Sequence, residues 1–317
     1  MNSKEKLKDI LNQHGSKKEP FFFVIDFDMS NYEVIPLNQL PDNILYQIDN
    51  TQKENKNKIQ LDIDPIDKNS YKSKFLSVKN EILNGNTYLL NLTTQTKIQT
   101  QVKLKKIFEK ADAKFKLYFK DKFVCFSPER FIDIHNNKIF TYPMKGTIDA
   151  SIKDAQQIIL EDKKELAEHT MAVDLLRNDL SIVSSKVKVE KFRYVDKIKA
   201  GDKELLQISS KISGQLDSKW QDSIGDIITS LLPAGSITGT PKRKTVEIIK
   251  NIENYDRDYF TGVFGVFDGV SLDSGVMIRF IQKNEDGSLV YKSGGGITSD
   301  SNLDSEYQEM INKVYIP

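Results

Sequence analysis

Cysteine occurs once, at Cys125, tryptophan once, and histidine only at His14, His135 and His169. A lone cysteine excludes an internal disulfide, and the histidines show no zinc-ligand spacing, so a metal held by this chain should sit among carboxylates. Charge of one sign is also missing, with lysine plus arginine at 46 against aspartate plus glutamate at 45. No global field therefore draws the protein onto nucleic acid or an anionic membrane, and an anionic ligand must be held by local charge. Long apolar runs are absent too: the Phe21 to Ile25 run falls far short of the roughly 20 residues a membrane helix needs. The opening Met1-Asn2-Ser3-Lys4-Glu5-Lys6 lacks the apolar stretch of a secretory leader. Cytoplasmic residence without nucleic-acid or membrane partners is the expectation.

What the chain does have is length, 317 residues with 38% apolar content, enough core for one large domain or two ordinary ones. Phe21 to Asp26 and Tyr32 to Leu37 read as strands, and the polar stretch Thr51 to Lys58 as a solvated linker. A soft boundary follows: residues 1–66 as a short strand-rich segment packing on the core, and 67–317 as the domain that carries the chemistry. From Tyr71, apolar residues recur at Phe75, Val78 and Ile82, one face of a helix that Asn84-Gly85 stops. Strands are expected over Tyr88 to Thr100, Phe115 to Phe119, Phe123 to Ser127, Phe131 to Ile134 and Lys138 to Tyr142. Helices are expected over Ser151 to Leu180, Ser218 to Leu231 and from Pro241 through Ile252. Strands return over Phe260 to Val270, Ser274 to Gln282 and Leu289 to Gly294, and a last helix begins near Asp304. Strand runs alternating irregularly with helices predict an α+β fold with antiparallel sheets.

Four acids come as two pairs, Glu165 with Glu168 and Glu306 with Glu309. Three apart on a helix, each pair points two carboxylates one way, the hard oxygen set that magnesium takes; a solvated helix face is the ordinary alternative. Lys313 lies on the same face as Glu309. Lys145, in Tyr142-Pro143-Met144-Lys145-Gly146-Thr147, follows a strand at a tight turn, where partial desolvation makes a lysine a nucleophile or base, if it is not simply an exposed turn residue. Glu129 is its natural proton-donating partner, or else pairs with Arg130. The run Leu232 to Lys242 lacks the Gly-Lys-Ser/Thr ending of a phosphate loop, so a nucleotide triphosphate site is not expected there. Ser293-Gly294-Gly295-Gly296-Ile297 offers bare N–H groups to a carboxylate, or is a flexible turn. Arg279, inside the apolar run Val276 to Ile281, calls for either a buried ion pair or a carboxylate ligand.

Taken in order, NGNTYLLNLT, SPERF, YPMKGT, KELAEHTMAVDLLRNDL, SSKISGQL, LLPAGSITGTPKRKTVEII and SGGGITSDSNLDSEYQEMINK resemble the chorismate-utilising enzymes over Tyr71 to Lys313. Within that family the chain most resembles aminodeoxychorismate synthase component I. That branch carries Pro-Ile-Lys-Gly-Thr where Lys145 stands, against Pro-Ile-Ala-Gly-Thr in anthranilate synthases, and Pro233 to Gly239 points to the same branch. The resemblance implies two orthogonally packed antiparallel sheets flanked by helices, with 67–317 as the chorismate-binding catalytic domain. It implies amination of chorismate at C4, on the route to p-aminobenzoate and folate, with ammonia from a glutamine amidotransferase subunit and an aminodeoxychorismate lyase as pathway neighbour. Anthranilate formation and a non-catalytic chorismate- or amidotransferase-binding homologue are the alternatives.

Residue by residue, the resemblance implies Glu168 and Glu309 as magnesium ligands supported by Glu165 and Glu306. Glu129 resembles the general acid, and Lys145 the nucleophile that adds at C2. Arg279 is implied to bind the enolpyruvyl carboxylate, and Gly294, Gly295, Gly296 and Lys313 the ring carboxylate, with Ser236, Thr147, Gln207 and Phe260 completing the pocket. Leu89 stands where relatives have glutamine, or the lysine that activates water; Gln207 replaces a histidine and Phe260 a tyrosine. The Leu-Leu-Glu-Ser element of tryptophan binding is missing, so tryptophan feedback is not expected.

Overall fold

The run Phe21-Phe22-Phe23-Val24-Ile25 shows how the core is built, because all five residues are fully buried in one strand. Successive side chains on a strand face opposite ways. Here Phe21, Phe23 and Ile25 enter one apolar cluster, and Phe22 and Val24 another. Such a strand must be interior to a sheet covered on both sides. It pairs with Val263–Phe267 on one edge and Tyr32–Pro36 on the other.

A computed structural model describes residues 2–49, 59–200 and 203–317; the linker expected at Thr51 to Lys58 lies outside them. Among the described residues there are two antiparallel sheets and eight α-helices, the expected α+β class. In spatial order the first sheet runs Met144–Asp149, Lys203–Gln215, Lys138–Thr141, Arg130–His135, Leu272–Val276, Val263–Phe267, Phe21–Ile25, Tyr32–Pro36, with Ser185–Ala200 on the other edge of Lys203–Gln215. The second runs Gly239–Thr240, Leu89–Gln99, Leu289–Ile297, Phe280–Lys283, Phe123–Ser127, Phe115–Phe119, Ile44–Gln47, with Asp62–Asp64 also paired to Leu89–Gln99. Between the sheets lies a core of Phe22, Val24 and Phe264 from the first and Phe115, Leu117, Phe123 and Phe280 from the second. Helices Ser3–Ser16, Lys163–Val183 and Ile224–Leu231 cover the first sheet's other face through Leu7, Leu11, Leu176, Leu180, Ile224 and Ile228. Helices Lys68–Leu83, Lys242–Glu253 and Leu303–Asn312 bury Tyr71, Phe75, Ile248, Ile249 and Met310 against the second.

Several expectations change. The strand expected from Ser274 to Gln282 is two strands in different sheets, Leu272–Val276 and Phe280–Lys283, joined by Met277 to Arg279, with Arg279 at φ 50. Its neighbour crosses in the same way: Phe123–Ser127 ends in the second sheet, Arg130–His135 begins in the first, and Pro128-Glu129 spans the gap. The crossings are tied together, Val276 N donating to Glu129 O at 3.1 Å and Phe126 N to Arg279 O at 3.2 Å. The strand expected from Phe260 shrinks to Val263–Phe267, its start folded into a turn by Phe260 N to Arg257 O and Gly262 N to Tyr259 O, both 3.0 Å. The helix expected over Ser151 to Leu180 is two, Ala155–Glu161 and Lys163–Val183, broken at Asp162, whose side chain caps the second by accepting Glu165 N at 2.9 Å. Residues Ser3–Ser16 form a helix, and Ser185–Ala200 with Lys203–Gln215 a long hairpin, neither anticipated from sequence.

Candidate active site

The two crossings open onto a cavity of about 810 Å³ where the sheets meet, lined also by the helices Lys163–Val183 and Leu303–Asn312. Glu129, Lys145, Thr147, Glu165, Glu168, Gln207, Ser236, Phe260, Arg279, Gly294, Gly296, Glu306, Glu309 and Lys313 all line it. Gly295 sits between two lining residues. The residues singled out from sequence are thus brought to one space.

Lys145 is not in a turn. It belongs to strand Met144–Asp149, whose register against Lys203–Gln215 slips between Met144 and Thr147, so Lys145 and Gly146 form a bulge. A bulge re-aims a side chain that regular pleating would direct elsewhere. Gly146 makes it possible with φ +88, a conformation other residues adopt at a cost, and with an approach so close that a Cβ would lie 2.9 Å from Glu165 Oε2. Gln207 Nε2 reaches the Gly146 carbonyl at 3.5 Å, a long contact.

The glycines do not form a loop after a strand; they lie within strand Leu289–Ile297, Gly294 opposite Thr93 and Gly296 opposite Asn91. Beyond Lys292 the ladder with Phe280–Lys283 ends, leaving that edge of the strand open. Gly294 turns its carbonyl outward, where Lys313 Nζ takes it at 2.9 Å. A Cβ on Gly296 would lie 3.5 Å from Lys145 Nζ, and one on Gly295 3.4 Å from Glu309 Oε1 and 3.5 Å from Glu306 Oε2. Bare backbone therefore lets the lysine on one side of the strand and the helix acids on the other share one cavity.

Glu129 keeps some accessible surface because it opens onto that cavity, yet its carboxyl lies deep enough for burial to raise its pKa. A hydrogen bond from Ser236 and the charges of Lys145, Arg279 and Lys313 oppose that rise without cancelling it. A carboxyl in this state holds its proton to higher pH, as a proton donor should. It does not pair with Arg130, which binds Asp273 and Asp133 instead. Cys125 is fully buried and its thiol is pushed up by burial, the state of a core residue. His169, beside Glu168 in sequence, turns inward, fully buried, its Nε2 2.7 Å from Ser210 Oγ, and burial lowers its pKa to about 4.

Glu165 and Glu168 reach the cavity from one helix, Glu306 and Glu309 from another. Glu306 accepts from Ser301 Oγ at 2.8 Å, and Glu309 Oε1 lies 2.7 Å from Lys313 Nζ. Among the described residues no three histidine, cysteine or acidic side chains form a ready-made ion cage. Magnesium does not need one, since it keeps several waters and takes one or two carboxylates with groups of its substrate. An all-oxygen donor set lining a substrate-sized cavity fits that ion. Sequence reading overlooked Asn91, Thr93, Lys292 and Tyr315 among the lining residues. Only Tyr315 carries a signal, the alternation Val314-Tyr315-Ile316.

Residues 9–317 match the chorismate binding enzyme family. The chain is 49% identical over 313 residues to an uncharacterized PabA-like protein of Pasteurella multocida, covering 96% of each. It is 31% identical over 260 residues to aminodeoxychorismate synthase component 1 of Salmonella typhimurium, covering 77% of this chain and 56% of the relative. Among solved structures, anthranilate synthase component I of Streptococcus pneumoniae superposes with a TM-score of 0.70 at 25% identity, over 81% of this chain and 59% of that one. The menaquinone-specific isochorismate synthase of Escherichia coli, at 17% identity and a TM-score of 0.75 over 99% of this chain and 81% of its own, shares the fold. The chain spans little more than half of the two synthase components named here. With the family match running from residue 9 to 317 and one cavity gathering the acid, the lysine and the paired glutamates, this chain belongs to the chorismate-binding enzymes.

Proposed function

We propose that the protein aminates chorismate at C4 to give 4-amino-4-deoxychorismate, using ammonia from a glutamine amidotransferase subunit. The observation that carries this reading is that Glu129 and Lys145 face one cavity, close enough for the lysine's charge to act on the carboxyl. Glu129 gives its proton to the departing C4 hydroxyl while the Lys145 amine forms a bond to C2, the C1–C2 double bond moving to C1–C6 and the C5–C6 double bond to C4–C5. Ammonia then attacks C4, both double bonds move back, the C2–N bond to Lys145 breaks, and the surplus proton on the new C4 nitrogen returns to Glu129. Water is the leaving product, and the enolpyruvyl group stays. Two allylic displacements replace one hard substitution, and the acid contributes about 10²–10⁴-fold.

Arg279 takes the enolpyruvyl carboxylate, while the open edge at Gly294 to Gly296 and Lys313 take the ring carboxylate. Ser236 holds Glu129, and Thr147, Gln207 and Phe260 complete the walls. Glu168 and Glu309, with Glu165 and Glu306 beside them, would hold magnesium, which when bound neutralises a substrate carboxylate. Leu89, buried and with Cδ1 3.6 Å from where a Gly296 Cβ would be, puts an apolar wall near Lys145, which disfavours attack by water. The reaction belongs to the route to p-aminobenzoate and folate, with aminodeoxychorismate lyase acting next.

The test is to incubate the chain with chorismate, magnesium and ammonium, with and without added aminodeoxychorismate lyase. Pyruvate released only with the lyase supports amination; anthranilate or isochorismate as product overturns it.

A further inference from the structure

Arg279 faces the cavity without an ion pair among the described residues. Its Nε donates to Tyr315 Oη at 2.9 Å, and its guanidinium carbon lies 5.0 Å from the centre of the Tyr315 ring. A phenol that accepts a hydrogen bond still owns its O–H. Among the described residues that O–H meets no protein acceptor, and Tyr315 itself lines the cavity.

Tyr315 is also held in place. Val314 is buried in the apolar cluster around Tyr291 and Ile281, and Ile316 packs against the same cluster, while Tyr315 between them lines the cavity. Tyr291 Oη donates to the Tyr315 carbonyl at 2.9 Å, and two residues later Pro317 O accepts Asp112 N at 2.9 Å. With Nε occupied, the guanidinium offers its two Nη groups to an incoming ligand, and the phenol proton stands beside them. Phe260, elsewhere on the cavity wall, brings no hydroxyl.

We propose that Tyr315 is a substrate-binding residue whose hydroxyl, oriented by Arg279, donates to the same substrate carboxylate that the Arg279 Nη groups receive. The inference rests on the reading of the cavity as a chorismate site, in which that group is the enolpyruvyl carboxylate. A carboxylate bound by guanidinium alone could pivot about it; a third donor from the phenol fixes its plane and hence the direction of the side chain from the ring.

The test uses Tyr315→Phe, which removes the hydroxyl and keeps the ring against the guanidinium. Chorismate binding is measured by calorimetry on wild type and variant, alongside kcat, KM and thermal unfolding. A hydrogen bond to a charged group predicts binding weaker by roughly 10- to 100-fold, with KM raised to match, kcat nearly kept and the melting temperature unchanged. Unchanged affinity, or a fall in kcat with affinity kept, overturns the role of Tyr315. A wild-type protein that binds no chorismate overturns the site reading instead, which separates the two failures.

Discussion

Glu253 accepts Arg257 Nε at 2.8 Å and Nη2 at 2.6 Å in an ion pair whose side chains are 1% and 2% exposed. The remaining donors of Arg257 hold the carbonyls of Ile237 at 3.1 Å and Asn91 at 2.8 Å, both on the cavity wall. Glu253→Gln leaves a buried guanidinium uncompensated, and the expected loss is about 3–5 kcal/mol, read as a lower urea midpoint. Because the same guanidinium anchors the wall, kcat/KM for chorismate should fall in Glu253→Gln even at temperatures where it stays folded.

Lys292 supplies a pH dependence. It is 1% exposed and gives its ammonium hydrogens to Asp256 O at 3.1 Å and Arg257 O at 2.9 Å, and burial lowers its pKa from 10.5 to about 8. Between those values the unfolded chain holds a proton that the folded chain has released. Unfolding then takes up a proton, so this group's contribution makes stability rise with pH across that window, by up to ~1.4 kcal/mol per pH unit. Lys292→Met should flatten the slope of unfolding free energy measured from pH 8 to 10.

As the proposed acid, Glu129 should set the basic limb of activity. Its pKa is raised by burial, so the proton it donates is lost only above the ordinary glutamate range, and kcat should fall as pH climbs through the raised value. Glu129→Gln should lower kcat by about 10²–10⁴-fold and abolish that limb. A variant with the wild-type profile would show that another group supplies the proton.

Lys145→Ala tests the covalent step. Amination should drop to background while chorismate still binds, since Arg279, Lys313 and the glycine edge are untouched. Full amination by the variant would remove the C2 adduct from the mechanism.

The paired glutamates predict a metal requirement. Dialysis against a chelator should abolish amination and added magnesium restore it. Glu306→Gln, altering a supporting carboxylate, should raise the magnesium concentration for half-maximal rate by roughly 10–100-fold. A wild-type enzyme fully active after chelation would count against the ion.

The residues of the candidate site were named from motifs, and the fold class from the order of strands and helices, but several elements that build the site were not legible. Motif residues keep their chemistry wherever the backbone carries them, so Glu129, Lys145 and Arg279 could be named before their positions were known. Sheet membership was not legible at Val276 to Phe280, where an apolar run interrupted only by Arg279 spans a change of sheet, and Arg279 takes the positive φ of the crossing. The hairpin Ser185–Ala200 with Lys203–Gln215 escaped notice because the alternation of Val187 and Val189 with lysines changes phase before Phe192 and Tyr194, where the pairing register also shifts. Charge is how an edge strand avoids pairing with other chains. Helix Ser3–Ser16 presents only Leu7, Leu11 and Gly15 as buried residues, too narrow a stripe to stand out.

Strand Phe21–Ile25 separates where this chain keeps its reactive groups from where it keeps its solidity. Every candidate ligand and acid lies after residue 128, yet Val263–Phe267, two residues past Phe260, has Phe21–Ile25 as its neighbour on one side. A fragment beginning at residue 67 would keep all of the chemistry and expose a raw hydrogen-bonding edge with its aromatic face stripped bare. Such a fragment should clump rather than catalyse.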